Sequence, residues 1–275
     1  EDGGEASFTL EARLDQLYLR PESAFSDVVL SLDYAGDHVA SLEARATMPE
    51  GAALTASIAP GAGGRTFRLD ASNAGQALRL IDVIDTARGG TLAVEAVIDD
   101  TDPGRPAKGA VTIENIRVRD APVLAQVLSI ASLTGPLDML SGDGIPFAKG
   151  RIPFVKRGSR IEIANARLAG AAIGLTAEGT IDIEADTIDV TGTVVPAYTI
   201  NSLIGEVPIL GDLLVGEKGG GLFAATYAVK GPIDDPAAAV NPLATLAPGF
   251  LRDLLFLDPD PTAETPAPPS GGENR

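Results

Sequence analysis

AAIGLTAEGTIDIE, residues Ala171–Glu184, alternates apolar and polar side chains with a period of two. Ile173, Leu175, Ala177, Ile181 and Ile183 fall on one side, and Thr176, Glu178, Thr180, Asp182 and Glu184 on the other. That pattern predicts an antiparallel strand with one oily face and one wet face. At about 3.3 Å per residue it would reach about 45 Å, far longer than the usual strand. Gly179 offers a place for it to bend. After a turn at Ala185–Thr187, Ile188 and Val190 resume the apolar face opposite Asp189 and Thr191.

The same rhythm runs upstream. Phe8, Leu10, Ala12 and Leu14 alternate with Thr9, Glu11 and Arg13, and Val28, Leu30, Leu32 and Tyr34 follow suit. Further sets are Leu42, Ala44, Ala46, Met48, then Leu54, Ala56, Ile58, then Phe67, Leu69, Ala71, then Leu92, Val94, Ala96, Ile98. Turn-forming segments YAGDH, APGAGGR and DTDPGRP separate several of them. Helical spacing interrupts at Ala74–Thr86, stopped by Gly89-Gly90, and at Ala121–Leu133, where Asp120 is the expected N-cap and Pro122 opens the first turn. Short helices are expected near Thr199 and over PGFLRDLLFL, Pro248–Leu257. The fold expected is mainly β with a few helices: a long twisted antiparallel sheet curved into a groove, with helices packed at one side or end.

Composition narrows the function. The 275 residues carry 38 acidic and 21 basic side chains, a net charge of −17, which disfavours nucleic acid as a partner. Hydrophobic residues make up 45% but aromatics only 4%, so the core material is aliphatic and bulk disorder is excluded. With no cysteine there are no disulfides, thiolate metal sites or cysteine nucleophiles. No apolar run is long enough to span a bilayer as a helix. The opening EDGGEAS reads as a cut through a longer polypeptide, and residues 257–275, rich in Pro and polar residues, as a disordered tail.

Catalytic constellations are weak. His38 is the single histidine and sits beside a turn, so neither a triad nor a histidine metal cluster has a spare imidazole. Asp99, Asp100 and Asp102 resemble the start of a calcium loop, but twelve-residue spacing from Asp100 falls on Val111 instead of a glutamate. Asp182, Glu184 and Asp186 have the spacing of a wet strand face. Gly211–Gly216 fails as a phosphate loop, since Glu217 stands where lysine is required. One basic island, Lys149, Arg151, Lys156, Arg157 and Arg160, gathers at a predicted hairpin whose tip is KRGSR. No catalytic residue, cofactor or metal site is expected.

The run Val194–Phe256 carries unusual motifs: Pro196, Asn201, Gly205, Pro208, Gly211, glycines 219–221, Phe223, Gly231, Asp235-Pro236, Asn241-Pro242, Pro248-Gly249 and Arg252. With LDASNAGQALRLIDVIDTARGGTLAVEA, IENIRVRDAPVLAQVLSIASLTG, SGDGIPF and AAIGLTAEGTIDI upstream, it resembles the C-terminal region of AsmA-like proteins, especially the YhdP-like branch. The resemblance covers residues 66–256, with 1–65 as a β-rich lead-in.

The resemblance implies a periplasmic module of a Gram-negative envelope protein, anchored to the inner membrane by an N-terminal segment outside this sequence. Its β body would carry phospholipid between inner and outer membranes along a hydrophobic groove and so support outer-membrane biogenesis. On that expectation Ile173, Leu175, Ile181, Ile183, Ile188 and Val190 line the groove. Val207, Ile209, Leu210, Leu213 and Leu214 form a terminal loop for membrane or an envelope protein partner. Lys156, Arg157 and Arg160 face lipid headgroups. Two other readings stand beside it: an interaction or assembly module whose apolar face is a filled core, and, last, a hydrolase.

Overall fold

The computed structural model describes residues 7–20, 23–61, 63–81, 84–196 and 224–241, all within one compact unit. Among them the alternating segments form β1 Ser7–Arg20, β2 Ser23–Ala35, β3 His38–Thr47, β4 Ala53–Gly61 and β5 Gly64–Ala71. A short β6 Ala87–Arg88 precedes β7 Thr91–Asp99 and β8 Ala107–Val118. Then come β9 Ile145–Arg157, β10 Arg160–Gly170, β11 Ile173–Asp182, β12 Thr187–Pro196, β13 Ala225–Pro232 and β14 Ala237–Asn241. Helix α1, Ala74–Leu80, lies between β5 and β6; α2 Pro122–Ile130 and α3 Thr134–Ser141 lie between β8 and β9.

These strands make a single antiparallel sheet of 14 members, open and curved, in which neighbours in sequence are neighbours in space. Only β6 lies off the path, paired to β8. The expected 65/66 boundary falls inside β5, which pairs with β4 on one side and β7 on the other, so the lead-in strands and the rest share one sheet. At about 4.8 Å between strands, the path from β1 to β14 is roughly 60 Å across.

Connections are distributed unevenly. At one end of the sheet the strands are joined by long excursions: β5 to β7 through α1, and β8 to β9 through α2 and α3. The chain also leaves at Pro196 and returns at Ala224 on that end. Tight links dominate the opposite end, such as Gly36-Asp37 between β2 and β3 and Gly158-Ser159 between β9 and β10.

The sheet bends where its alternation slips. In Phe25-Ser-Asp-Val28, Ile113-Glu-Asn-Ile116 and Ile163-Ala-Asn-Ala166 the apolar residues are three apart instead of two. Asp27, Asn115 and Asn165 adopt positive φ of 51°, 55° and 52°, and the ladders of β2 and β10 shift register there. Those at Asp27 and Asn165 are β-bulges that return the next apolar side chain to the same face while turning the strand, whereas β8 keeps its register with β9 across Asn115. Gly179 sits opposite Ile163, beside the β10 bulge, with φ 145°.

Several boundaries differ from expectation. The strand predicted at 171–184 is confined to β11, because 171–172 bend and 183–186 form the turn into β12. Helix α1 ends at Leu80 instead of Thr86, since the chain must turn back so that Ala87-Arg88 can pair with β8. Gly75 allows this return: a Cβ there would lie 2.6 Å from the Ala87 carbonyl oxygen. The cap of α1 is Asn73, whose side chain accepts from the Gln76 amide at 3.1 Å. In α2 the N-cap is Ala121; Asp120 has φ 43° and its amide donates to the Leu140 carbonyl. The sequence reading missed α3, because Thr134-Gly135-Pro136 resembles a turn, yet proline is tolerated within a first helical turn. The helices predicted near Thr199 and over Pro248–Leu257, and the tail 257–275, lie outside the described residues.

Candidate functional site: an apolar inner face

Register places the alternating apolar residues on one surface across the whole sheet. One row runs Leu30, Ala44, Ala56, Leu69, Val94 and Val111; another runs Leu168, Leu175, Val194 and Ala225. The opposite surface carries Glu43, Arg45, Arg68, Asp70, Arg151, Thr176 and Glu178. That outer surface holds a hollow of about 340 Å³ over β2–β5, lined by Ser31, Glu43, Arg45, Thr55, Arg68 and Asp70 among others. Its lining mixes the charged Glu43, Arg45, Arg68 and Asp70 with Val29, Ala44 and Ala56, unlike the aliphatic inner face.

The inner surface is divided between the two ends. At the helix end a continuous core joins Phe25, Met48, Ala71, Leu92, Ile116, Phe147, Ile173, Val194 and Ala225 to Leu78 of α1, Leu128 of α2 and Leu140 of α3. Leu128 and Ile173 are wholly buried. At the other end Ile58, Phe67, Ile98, Phe154, Ile161, Ile181 and Ile188 occupy the same surface, are half-buried, and do not belong to that core. The β1 side is open: Phe8 is 52% and Leu10 44% exposed.

The expected groove residues therefore divide. Ile173 lies in the filled helix end, with Leu175 packed against its margin. Val190 is buried farther along, and Ile181 faces Ile188 across β11 and β12 at the turn end, both half-buried. Ile183 lies beyond β11, 58% exposed, its amide donating to the Ser159 carbonyl. Tyr227 of β13, not singled out by the sequence reading, crosses this surface: its hydroxyl donates to the Thr176 carbonyl at 2.6 Å, and burial pushes its pKa up to about 12. Gly192 makes the crossing possible, for a Cβ there would lie 2.6 Å from the Tyr227 hydroxyl oxygen. Val207, Ile209, Leu210, Leu213 and Leu214 lie outside the described residues.

Polar groups fasten the turn end. Beyond the Leu42–Ile58 pair β3 and β4 separate, and Arg65 from β5 bridges the gap by donating to the Val39 carbonyl. Its guanidinium also grips Asp100 through Nε at 2.9 Å and Nη2 at 2.6 Å. The Arg65 hydrogen bonds, chiefly, hold the Asp100 carboxyl below the usual range. Next to it Arg105 donates to Asp37, whose carboxyl is held far below its ordinary value by that bond and by His38. Asp99 accepts from the Thr101 amide and hydroxyl, and Asp102 from the Gly104 amide, so this acidic run closes its own turn. Among the described residues no group of metal-ligating side chains could hold an ion.

The basic hairpin tip is at the turn end too. Lys156 folds back on the Gly158 carbonyl, Arg157 pairs with Glu162 at 3.2 Å, and Arg160 approaches Asp182 at 3.8 Å. All three are exposed, so these pairs are weak and can exchange for an external anion. Among the described residues no helix is long and apolar enough to cross a membrane. No family model, curated protein or solved structure matches the chain.

Proposed function

We propose that the inner face is the wall of a lipid-carrying trough in a periplasmic, inner-membrane-anchored protein of the AsmA-like kind, moving phospholipid between inner and outer membranes. The observation that carries this reading is the apolar surface that continues past the helix-filled core to the turn end, where its side chains are half-buried, and to β1, where Phe8, Leu10 and Leu14 stay exposed. Monomeric proteins seldom leave such a surface open without a use. An acyl chain laid on it gains about 0.8 kcal/mol per buried CH₂. Ala, Val, Ile and Leu walls grip hydrocarbon without fixing its position, which suits sliding. Ile181 and Ile188 stand at the proposed lipid path, with the buried Val190 beneath it, and Lys156, Arg157 and Arg160 at its polar rim.

The filled helix end favours a second reading, an assembly module whose apolar face is simply core. Lipid extraction of the purified, folded chain, followed by mass spectrometry, separates the two. Bound phospholipid in roughly stoichiometric amount supports carriage; a folded protein that yields none, even after incubation with phospholipid vesicles, supports the assembly reading.

A further inference from the structure

The hollow of about 340 Å³ on the outer surface follows from side-chain length. Its floor is β4, where Thr55 and Ser57 are short; its walls are β3 and β5, which carry the long Glu43, Arg45, Arg68 and Asp70. Side chains stand roughly normal to a sheet, so the long ones rise on either side of the two hydroxyls. Across the floor each acid faces a base: Arg45 faces Asp70 over Thr55, and Glu43 faces Arg68 over Ser57. These four charges cancel, in a chain whose net charge is −17. A simple anion or cation gains little from such a ring, whereas a molecule carrying both charges can satisfy both walls.

The level of Arg45 and Asp70 is the unsatisfied one. Arg68 already reaches Glu95 at 3.3 Å, an exposed pair on the far side of β5. Arg45 stands opposite Val29 and Thr55, and Asp70 opposite Thr55 and Ala93, so neither meets an opposite charge on an adjacent strand. Among the described residues neither makes a side-chain hydrogen bond or ion pair, and the Thr55 hydroxyl between them makes none either. Strands two apart are about 9.6 Å from one another. With a hydrogen bond of about 2.9 Å at each wall, about 4 Å is left between the two charges of a bridging molecule. A two-carbon linker gives that separation, and Val29 in the lining offers it apolar contact.

We propose that the hollow binds a small zwitterion, an ammonium and an acid anion joined by two carbons, with the ammonium on Asp70 and the anion on Arg45. The Thr55 hydroxyl donates to the anion from below. The site is on the outer surface, so it is independent of what the inner face carries.

Chemical-shift titration of the isotope-labelled 275-residue chain with O-phosphoethanolamine tests it. Saturable one-to-one shifts are expected, largest at the amides of Arg45, Thr55 and Asp70. Two charge-assisted contacts correspond to a dissociation constant of about 10 mM or tighter. Arg45→Gln and Asp70→Asn should each weaken binding about tenfold. Both side chains are exposed, so circular dichroism should be unchanged. Ethylamine and acetate, with one charge each, should also bind about tenfold more weakly than the zwitterion. Given binding of the free probe, flotation with phosphatidylethanolamine vesicles separates the sources. Retention that Arg45→Gln abolishes assigns a lipid headgroup; no retention assigns a soluble ligand. Absence of a saturable shift up to about 50 mM probe overturns the proposal whatever the vesicles do. Single-charge probes that match the zwitterion, or variants that bind like the parent, overturn it equally.

Discussion

At its helix end the sheet is roofed by α1, α2 and α3, and Ile173 has no exposure at all; at its turn end Ile181, on the same strand and the same face, is only half-buried. The two isoleucines belong to one alternating run, so side-chain pattern alone cannot tell them apart. Connections make the difference. Long excursions between β5 and β7 and between β8 and β9 supply covering side chains at one end, whereas tight turns at the other have nothing to fold over the sheet. An open antiparallel sheet can thus be anchored at one end by a packed core and keep a greasy surface available at the other.

The sharpest way to break this comparison is Ile173→Asp. A carboxylate without partner in a dry core destabilises severely, by about 4 kcal/mol or more. Loss of the cooperative thermal transition is the expected result; an unchanged melting temperature would mean that the helix end is not packed as described. Next in size is Gly192→Val. The added side chain would occupy the path of Tyr227 and break its hydrogen bond to Thr176, so a loss of about 1–3 kcal/mol in urea unfolding is expected. A Cβ at this position would also run into the Thr176 carbonyl oxygen, so the further change Tyr227→Ala should leave most of the loss in place; full restoration would instead place the clash at the ring alone.

The fold class was legible because a period of two needs no context. Strand positions in β1–β5 and β7 follow directly from sets such as Leu54, Ala56 and Ile58. The kinks within strands were less legible: Phe25 to Val28, Ile113 to Ile116 and Ile163 to Ala166 look like lapses in alternation until Asp27, Asn115 and Asn165 are seen in left-handed backbone. Their shared spacing, apolar-x-Asn/Asp-apolar, is the signal that was present and unread. The division of the candidate face was not legible at all, since burial of Ile173 depends on helices far away in sequence. The Arg65–Asp100 bridge escaped for the same reason, as 35 positions separate its partners.

That bridge gives the next smaller effect. Arg65 is nearly buried and its partner is partly exposed, so Arg65→Ala should cost about 1–2 kcal/mol. The pH dependence has a definite sign. Asp100 and Asp37 have depressed carboxyl pKa values in the folded chain. Their contribution is therefore complete above the unfolded carboxylate value of about 4 and is lost as pH falls through the lower folded values. Thermal melting should decline on acidification below about pH 4, and the decline should be shallower in Arg65→Ala. An identical acid profile in the two proteins would remove this bridge from the rim's stability.

The smallest effect on stability, and the most telling for function, is expected of Ile181→Asp. Ile181 faces Ile188 and Ile161 across its neighbouring strands but lies outside the packed core. A charge there keeps access to water, so the unfolding free energy should change by about 1 kcal/mol or less, in contrast to the same substitution at Ile173. Hydrocarbon resting on the surface would nevertheless meet a carboxylate and lose contact along the row. If the turn end carries acyl chains, lipid retained through purification should fall severalfold while the melting curve barely moves. If instead Ile181→Asp unfolds the chain as Ile173→Asp does, the turn end is core as well. The sheet would then be a filled scaffold, with only β1 left to expose its apolar side.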